Sequence, residues 1–247
     1  MIVACHQPNY LPHLGFFDKM KKADVFVIYD TVQFSDGFYV HRNRVRTNTG
    51  WAWLTIPVAR HQVPINTVAI KNDALISRVP WNEHHWRVIA HSYGKAPYFE
   101  KYKNEFAPLY EKKFEKLSDF NTEIIRTLAR IAGITTKIVL LSNLGVVSDD
   151  ASERLALATQ AALLRFPASD GQAGGDIYLA GPSGGTKYEM REEEFAKRGL
   201  KIAHQEFRHP EYPQLHSQYD KKFEKNLAAI DALFNVGYLP IENFSIF

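Results

Sequence analysis

Near its start the chain presents an imidazole, two amides and a phenol in close succession: His6, Gln7, Asn9 and Tyr10, within the turn His6-Gln7-Pro8-Asn9-Tyr10-Leu11-Pro12. Such a set can take up a proton, donate to a developing negative charge and hold a polar ligand. Pro8 and Pro12 forbid a helix there. The turn follows the apolar run Met1–Cys5, which reads as a buried strand, and in open α/β sheets ligands bind beyond the carboxyl ends of strands. Asp30 ends the next apolar run, Val25–Ile28, and is expected at the same sheet edge. Two readings stand side by side. In one, His6 is a catalytic base oriented by Asp30 or Asn9, with Gln7 and Tyr10 as donors. In the other, the turn is polar only because its side chains bond their own backbone.

Three further stretches carry candidate chemistry. Gly181-Pro182-Ser183-Gly184-Gly185-Thr186-Lys187 is a glycine-rich turn after a short strand. Its backbone N–H groups, at Gly181, Ser183, Gly184 and Gly185, suit a phosphate, and Lys187 adds charge. It matches neither the Walker A nor the dinucleotide spacing, and it also reads as a plain turn. In His41-Arg42-Asn43-Arg44-Val45-Arg46, the arginines alternate along one strand face and Asn43 points to the other. That row is either a phosphate grip for a nucleotide-sugar or lipid-linked pyrophosphate, or a solvated face. In His209-Pro210-Glu211-Tyr212-Pro213-Gln214, His209 shares proton transfer at the edge that carries His6, or the prolines merely brace a loop.

Several sharper ideas fail on spacing. Cys5 and His6 are strand neighbours that face opposite sides, so they make a poor thiol–imidazole pair. His84 and His85 lack the spacing that puts two imidazoles on one helix face, and no metal site is expected. His13-Leu14-Gly15-Phe16 loosely resembles the His-x-Gly-His motif of nucleotidylyltransferases, but Phe16 stands where the phosphate-contacting histidine belongs.

The elements that must position these residues are legible from apolar spacing. Leu14, Phe17 and Met20 mark a helix, and Val25–Ile28 a strand covered on both faces. A β-rich insertion is expected at about 31–75, where Phe38, Tyr39, Val40, Trp51, Trp53, Val68 and Ile70 alternate with turn signals. Helices follow from about Trp81. One is capped by Asn121 and stopped by Gly133, and one is capped by Ser152. Short strands at Lys137–Leu141, Ile177–Leu179 and Lys201–Phe207 surround a helix at Glu192–Arg198, and a last helix runs from about Lys222 to Phe234. The alternation predicts an α/β protein with an open, mostly parallel, Rossmann-like sheet, in one domain over 1–247. The 247 residues are 45% apolar and 23% charged, an ordinary globular balance, and a formal charge of +3 is too small to argue for duplex nucleic acid. One cysteine excludes an internal disulfide framework. No stretch is long and apolar enough for a membrane span or a signal peptide, so a cytoplasmic location is expected.

The chain resembles the WbqC-like protein family. The opening signature, with Leu14-Gly15-Phe16-Phe17, is followed in order by Tyr29-Asp30-Thr31-Val32-Gln33-Phe34, His41-Arg42-Asn43-Arg44 and Ile56-Pro57-Val58. Tyr178-Leu179-Ala180-Gly181-Pro182, the His209 block and Ile230-Asp231-Ala232-Leu233-Phe234-Asn235-Val236-Gly237 complete it. The resemblance implies work in O-antigen or other surface-polysaccharide synthesis, as a glycine transferase. On that reading an aminoacyl group passes to an amine or hydroxyl of a sugar or nucleotide-sugar. The donor is activated as an adenylate or aminoacyl-tRNA, and no bound cofactor is needed. A non-catalytic sugar-binding or scaffolding subunit, and an amino-acid transferase acting on a modified nucleobase, are the alternatives. The oligomeric state is open.

Overall fold

The structure is a computed structural model that describes residues 1–37, 39–59, 62–167, 175–182, 190–215 and 223–241. Five strands form its main sheet: β1 (Ile2–His6), β2 (Val25–Ile28), β7 (Lys137–Leu140), β8 (Ile177–Ala180) and β9 (Lys201–His204). They lie in the order β7-β2-β1-β8-β9, and every pairing is parallel. Counted along the chain this is the order 3-2-1-4-5 of a Rossmann-like sheet. Central strands buried on both faces must be apolar throughout, which is why Val25-Phe26-Val27-Ile28 shows no alternation and is fully buried.

Helix α1 (Leu14–Lys21) connects β1 to β2, and His13 caps it by accepting the Gly15 N–H on its ring at 3.0 Å. Helix α5 (Ala151–Arg165) packs on β1 and β2. Asp150, not Ser152, is its cap: the carboxylate accepts the Glu153 N–H at 2.7 Å. The Ser152 hydroxyl instead accepts the N–H of Arg191, just before α6 (Glu192–Ala196). Helix α6 is shorter than expected, and Gly199 then turns the chain with φ +69°.

The excursion between β2 and β7 is only partly β-rich. Strands β3 (Arg42–Thr47) and β4 (Gly50–Thr55) form an antiparallel hairpin, and β5 (Leu75–Ile76) pairs with β6 (Val79–Pro80). Tyr39 and Val40 lie in a turn, Phe38 lies outside the described residues, and Ile70 makes an isolated bridge with Val58. The excursion then continues through α2 (Trp81–Tyr93), α3 (Phe99–Glu111) and α4 (Leu117–Ile131). Asn121 does not cap α4, which begins a turn earlier. It is buried, and its amide donates to the carbonyls of Pro8 at 2.8 Å and Val40 at 2.6 Å.

The last helix, α7 (Ile230–Val236), starts later than its apolar spacing suggests. The N–H groups of Ala228 and Ala229 are committed to the carbonyls of Arg44 and Pro12, and Asn226 has φ +58°, so this backbone cannot be helical. Gly237 ends α7 in the left-handed conformation, φ +83°. Phe234 joins the helices by packing its ring against Tyr93, Phe99 and Phe106.

Candidate ligand crevice at the strand switch

The strand order reverses between β1 and β8, whose connections lead to opposite sides of the sheet order. Ala4 pairs with Leu179, so the carboxyl ends of the two strands present His6 and Gly181 side by side. This is the place where open α/β sheets take ligands.

His6 is half-buried, with its ring edge-on to Phe16 at 4.8 Å. Its Nδ1 lies 3.0 Å from the Gln7 carbonyl. A carbonyl only accepts, so Nδ1 carries the proton and Nε2 keeps a free lone pair. Burial and the positive charge of Lys19 push the imidazole down to about 3, with His13 adding to the effect against the Gln7 hydrogen bond. It is therefore neutral at physiological pH. The side chains of half-buried Gln7 and buried Asn9 make no hydrogen bond with any described residue.

Two asparagines hold this turn from below. Asn121 binds the Pro8 carbonyl. Asn43, fully buried on the inner face of β3 as its alternation requires, donates to Tyr10 O at 3.3 Å and Leu11 O at 2.6 Å. Its own oxygen accepts the Arg44 N–H. These contacts fix Leu11 at φ +43°, a conformation an L-residue keeps only when its surroundings impose it.

Tyr10 and Asp30 do different work from that expected of them. Tyr10 turns into the aromatic core, where its hydroxyl meets Tyr110 Oη at 2.7 Å and His85 Nδ1 at 3.0 Å. Asp30 stands at the sheet edge that carries His6. Its carboxylate, however, accepts both the N–H and the hydroxyl of Ser142, at 2.9 and 2.7 Å, and so ties the turn after β7 to β2. No hydrogen bond or ion pair joins it to His6 among the described residues.

The arginine row does share one face of β3, opposite Trp51 and Trp53 of β4. The Arg42 guanidinium lies over the Trp53 ring at 4.4 Å and donates to Gly37 O. That of Arg44 lies over Trp51 at 5.0 Å and reaches the carbonyls of Lys225 and Asn226. Arg46 is fully buried. This is a cation–π ladder, in which the Nε of Arg42 and of Arg44 is buried without a hydrogen bond.

The segment after β9 returns across the start of α1, where Gln205 donates to the Gly15 carbonyl at 2.8 Å. It brings His209 near His13, whose imidazole burial and His209 together push down to about 4. His209 donates from Nδ1 to the Pro210 carbonyl at 2.8 Å, while its Nε2 is buried without a hydrogen bond. Burial, partly countered by that bond, lowers its pKa, and Lys225 lowers it further. His6, His13 and His209 thus each stay neutral at physiological pH. The Tyr212 ring stacks against that of His209, with centroids 6.3 Å apart, while its hydroxyl donates to the buried Asp231 carboxylate at 2.7 Å. Gly181 sits at the crevice, whereas Ser183, Gly184, Gly185 and Lys187 lie outside the described residues.

Sequence reasoning missed Lys19. Its side chain is buried, and Nζ donates to the Cys5 carbonyl at 2.9 Å, at the carboxyl end of β1. Burial pushes the ammonium down to about 8. The signal was faint: Lys19 follows Phe16, the residue against His6, by three positions and so shares its helix face. Cys5 is buried and its thiol is pushed up to about 12, which makes it inert. No group of three His, Cys, Asp or Glu side chains is placed to hold a metal, and no helix is long and apolar enough to cross a membrane, among the described residues.

An all-parallel sheet in this order, with a buttressed polar turn at its switch point, defines a Rossmann-like α/β protein whose candidate ligand site is the carboxyl edge of the sheet. Within that class, the chain belongs to the WbqC-like protein family, whose model matches residues 7–242. It is also similar to Uncharacterized protein Rv1507c of Mycobacterium tuberculosis (strain ATCC 25618 / H37Rv). The identity is 30% over 237 residues, covering 95% of this chain and 94% of the relative. No solved structure matches the chain.

Proposed function

We propose that the protein is a transferase that moves an amino-acid acyl group, glycyl by the family resemblance, onto a sugar intermediate of O-antigen or other surface-polysaccharide synthesis. The observation that carries this reading is the free Nε2 lone pair of His6 at the strand switch, set by the Nδ1 contact to Gln7. The unpartnered amides of Gln7 and Asn9 beside it are the donors for the oxyanion of an acyl transfer. An imidazole as weak as His6 cannot strip a proton from a hydroxyl in advance. It can take one from an amine that has already attacked a carbonyl, because that nitrogen becomes strongly acidic. An amino-sugar is therefore the acceptor that fits best, with an adenylate or aminoacyl-tRNA as donor.

The test is incubation of the purified protein with glycyl-adenylate or glycyl-tRNA and amino-sugar nucleotides, read by mass spectrometry for the added glycyl group. His6→Gln should lower turnover roughly a hundredfold or more with the fold intact. Unchanged turnover in folded His6→Gln removes His6 from the reaction.

One observation favours a second reading, a non-catalytic sugar-binding subunit. Trp51 and Trp53 stand side by side on β4 with 43% and 39% of their surfaces exposed, an arrangement on which a sugar ring can stack. Saccharide binding without any transfer, abolished in Trp53→Ala, would decide for it.

A further inference from the structure

We infer that Lys19 is the oxyanion anchor of the crevice: its ammonium binds a phosphate or carboxylate oxygen of the ligand, beside the lone pair of His6. The inference rests on the strand switch being the ligand site, and it adds a residue and a ligand chemistry to that reading.

An ammonium has three N–H donors. Lys19 is 4% exposed, and one hydrogen bond, to the Cys5 carbonyl, is all it makes among the described residues. The face of Tyr178 is 5.9 Å away, at the outer limit of a cation–π contact. No carboxylate among the described residues neutralises it. Asp18, its chain neighbour, is held by Lys22 at 2.9 Å and by Gln205, and Asp30 is held by Ser142. A buried charge with no counter-ion and two unused donors is costly to keep. It is also what an anion site looks like before the anion arrives. The position agrees: Cys5 O belongs to the penultimate residue of β1, one step before His6 and next to the end of β8. The charge of Lys19 is among the causes that hold His6 so weakly basic. An anion seated on Lys19 offsets that charge and raises the basicity of His6, so the ligand readies its own base.

Phosphate and carboxylate share this chemistry, and the probes separate them. Inorganic phosphate, AMP and N-acetylglycine are titrated into the full chain at constant ionic strength, against chloride, with binding read by calorimetry and thermal shift. Phosphate and AMP binding assigns the site to a nucleotide-type donor, and N-acetylglycine binding to the carboxylate of an amino acid. In either case Lys19→Met should weaken the probe by roughly tenfold or more, the scale of a charge-assisted hydrogen bond. Without a probe it should melt no lower than the wild type, since a buried unpaired charge has gone. If Lys19→Met does not fold, the wild type still answers. Its probe affinity should fall by up to about tenfold per pH unit above about 8, where Lys19 loses its proton. The inference is overturned if the wild type binds none of the three probes, if Lys19→Met binds as the wild type does, or if affinity is flat from pH 7 to 9.5. It is also overturned if Lys19→Met melts lower while Lys19→Arg restores it, which would make Lys19 a tie between α1 and β1. None of these readouts needs turnover. A bound probe with no glycyl transfer therefore sinks the proposed function alone, and transfer with no probe binding sinks the anchor alone.

Discussion

Acid should unfold this protein early, and the histidines set the scale. Burial is the first cause that lowers His6 to about 3, His13 to about 4 and His85 to about 3, from an ordinary 6.5. His209 moves the same way. In each case the folded protein keeps the ring neutral while the unfolded chain accepts a proton near 6.5. The stability these rings contribute is complete above that pH. It is lost as pH falls, until His13 protonates near 4 and the other two near 3. Each pH unit below 6.5 costs about 1.4 kcal/mol per ring. At pH 5 the three together have cost about 6 kcal/mol, against a domain stability of about 5–15 kcal/mol. A protein of ordinary stability should therefore be close to unfolding at pH 5 and unfolded by pH 4.

Urea unfolding followed by circular dichroism, at half-unit steps from pH 7.5 to 5, measures this directly. Below pH 6 the free energy should fall by about 4 kcal/mol per pH unit, the slope of three protons. His6→Gln carries an amide that does not titrate, so its slope should be shallower by one proton, whatever the substitution does to stability at pH 7.5. A wild-type slope of less than one proton would refute the claim that these rings are held neutral. An undiminished slope in His6→Gln would refute it for the crevice.

Three further expectations follow from single contacts. Asn121→Ala strands the carbonyls of Pro8 and Val40 in the interior and should cost about 2–4 kcal/mol in urea unfolding; an unchanged midpoint would show that the turn does not depend on it. Arg44→Lys keeps the charge but loses the planar stack on Trp51, and it should cost about 0.5–1 kcal/mol with altered tryptophan fluorescence. Gly237→Ala combines φ +83° with a Cβ 2.7 Å from the Tyr98 ring, so it should lose more than about 1 kcal/mol, visible as a lower melting temperature.

The sheet was legible in the sequence because its signals are local. Val25–Ile28 is an unbroken apolar run, the prolines after His6 forbid a helix, and Gly133, Gly199 and Gly237 mark ends that only a positive φ can turn. Helix starts were less legible because their caps compete with tertiary partners. Asn121 has the composition of a cap, yet two distant carbonyls claim its amide. Lys222–Ala229 has helical spacing, yet Arg44 and Pro12 claim the N–H groups of Ala228 and Ala229. In the site, the place of His6 could be read but the fate of its neighbours could not. Tyr10 is drawn inward by His85, 75 residues away, and Asp30 by Ser142, 112 residues away. No local pattern encodes such partners. Lys19 escaped notice because helical spacing shows which residues share a face, not that α1 is walled by β1 on one side and by the segment after β9 on the other.

Committed and uncommitted polar groups stand side by side at the strand switch. Asn43, Asn121, Asp30 and Tyr212 are polar, and each is bound by its surroundings in a way that fixes a turn or a helix. Their neighbours at the strand switch hold valence in reserve among the described residues: a lone pair on half-buried His6, the amides of half-buried Gln7 and buried Asn9, and two donors on buried Lys19. Leaving two donors of buried Lys19 unused costs stability, because unpaired buried polar groups are penalised wherever they occur. Placing acceptor and donors together, on a turn made rigid by two buried asparagines, keeps their geometry fixed while nothing occupies it. That is the condition under which a polar ligand meets groups that need no rearrangement, the preorganisation on which electrostatic catalysis depends.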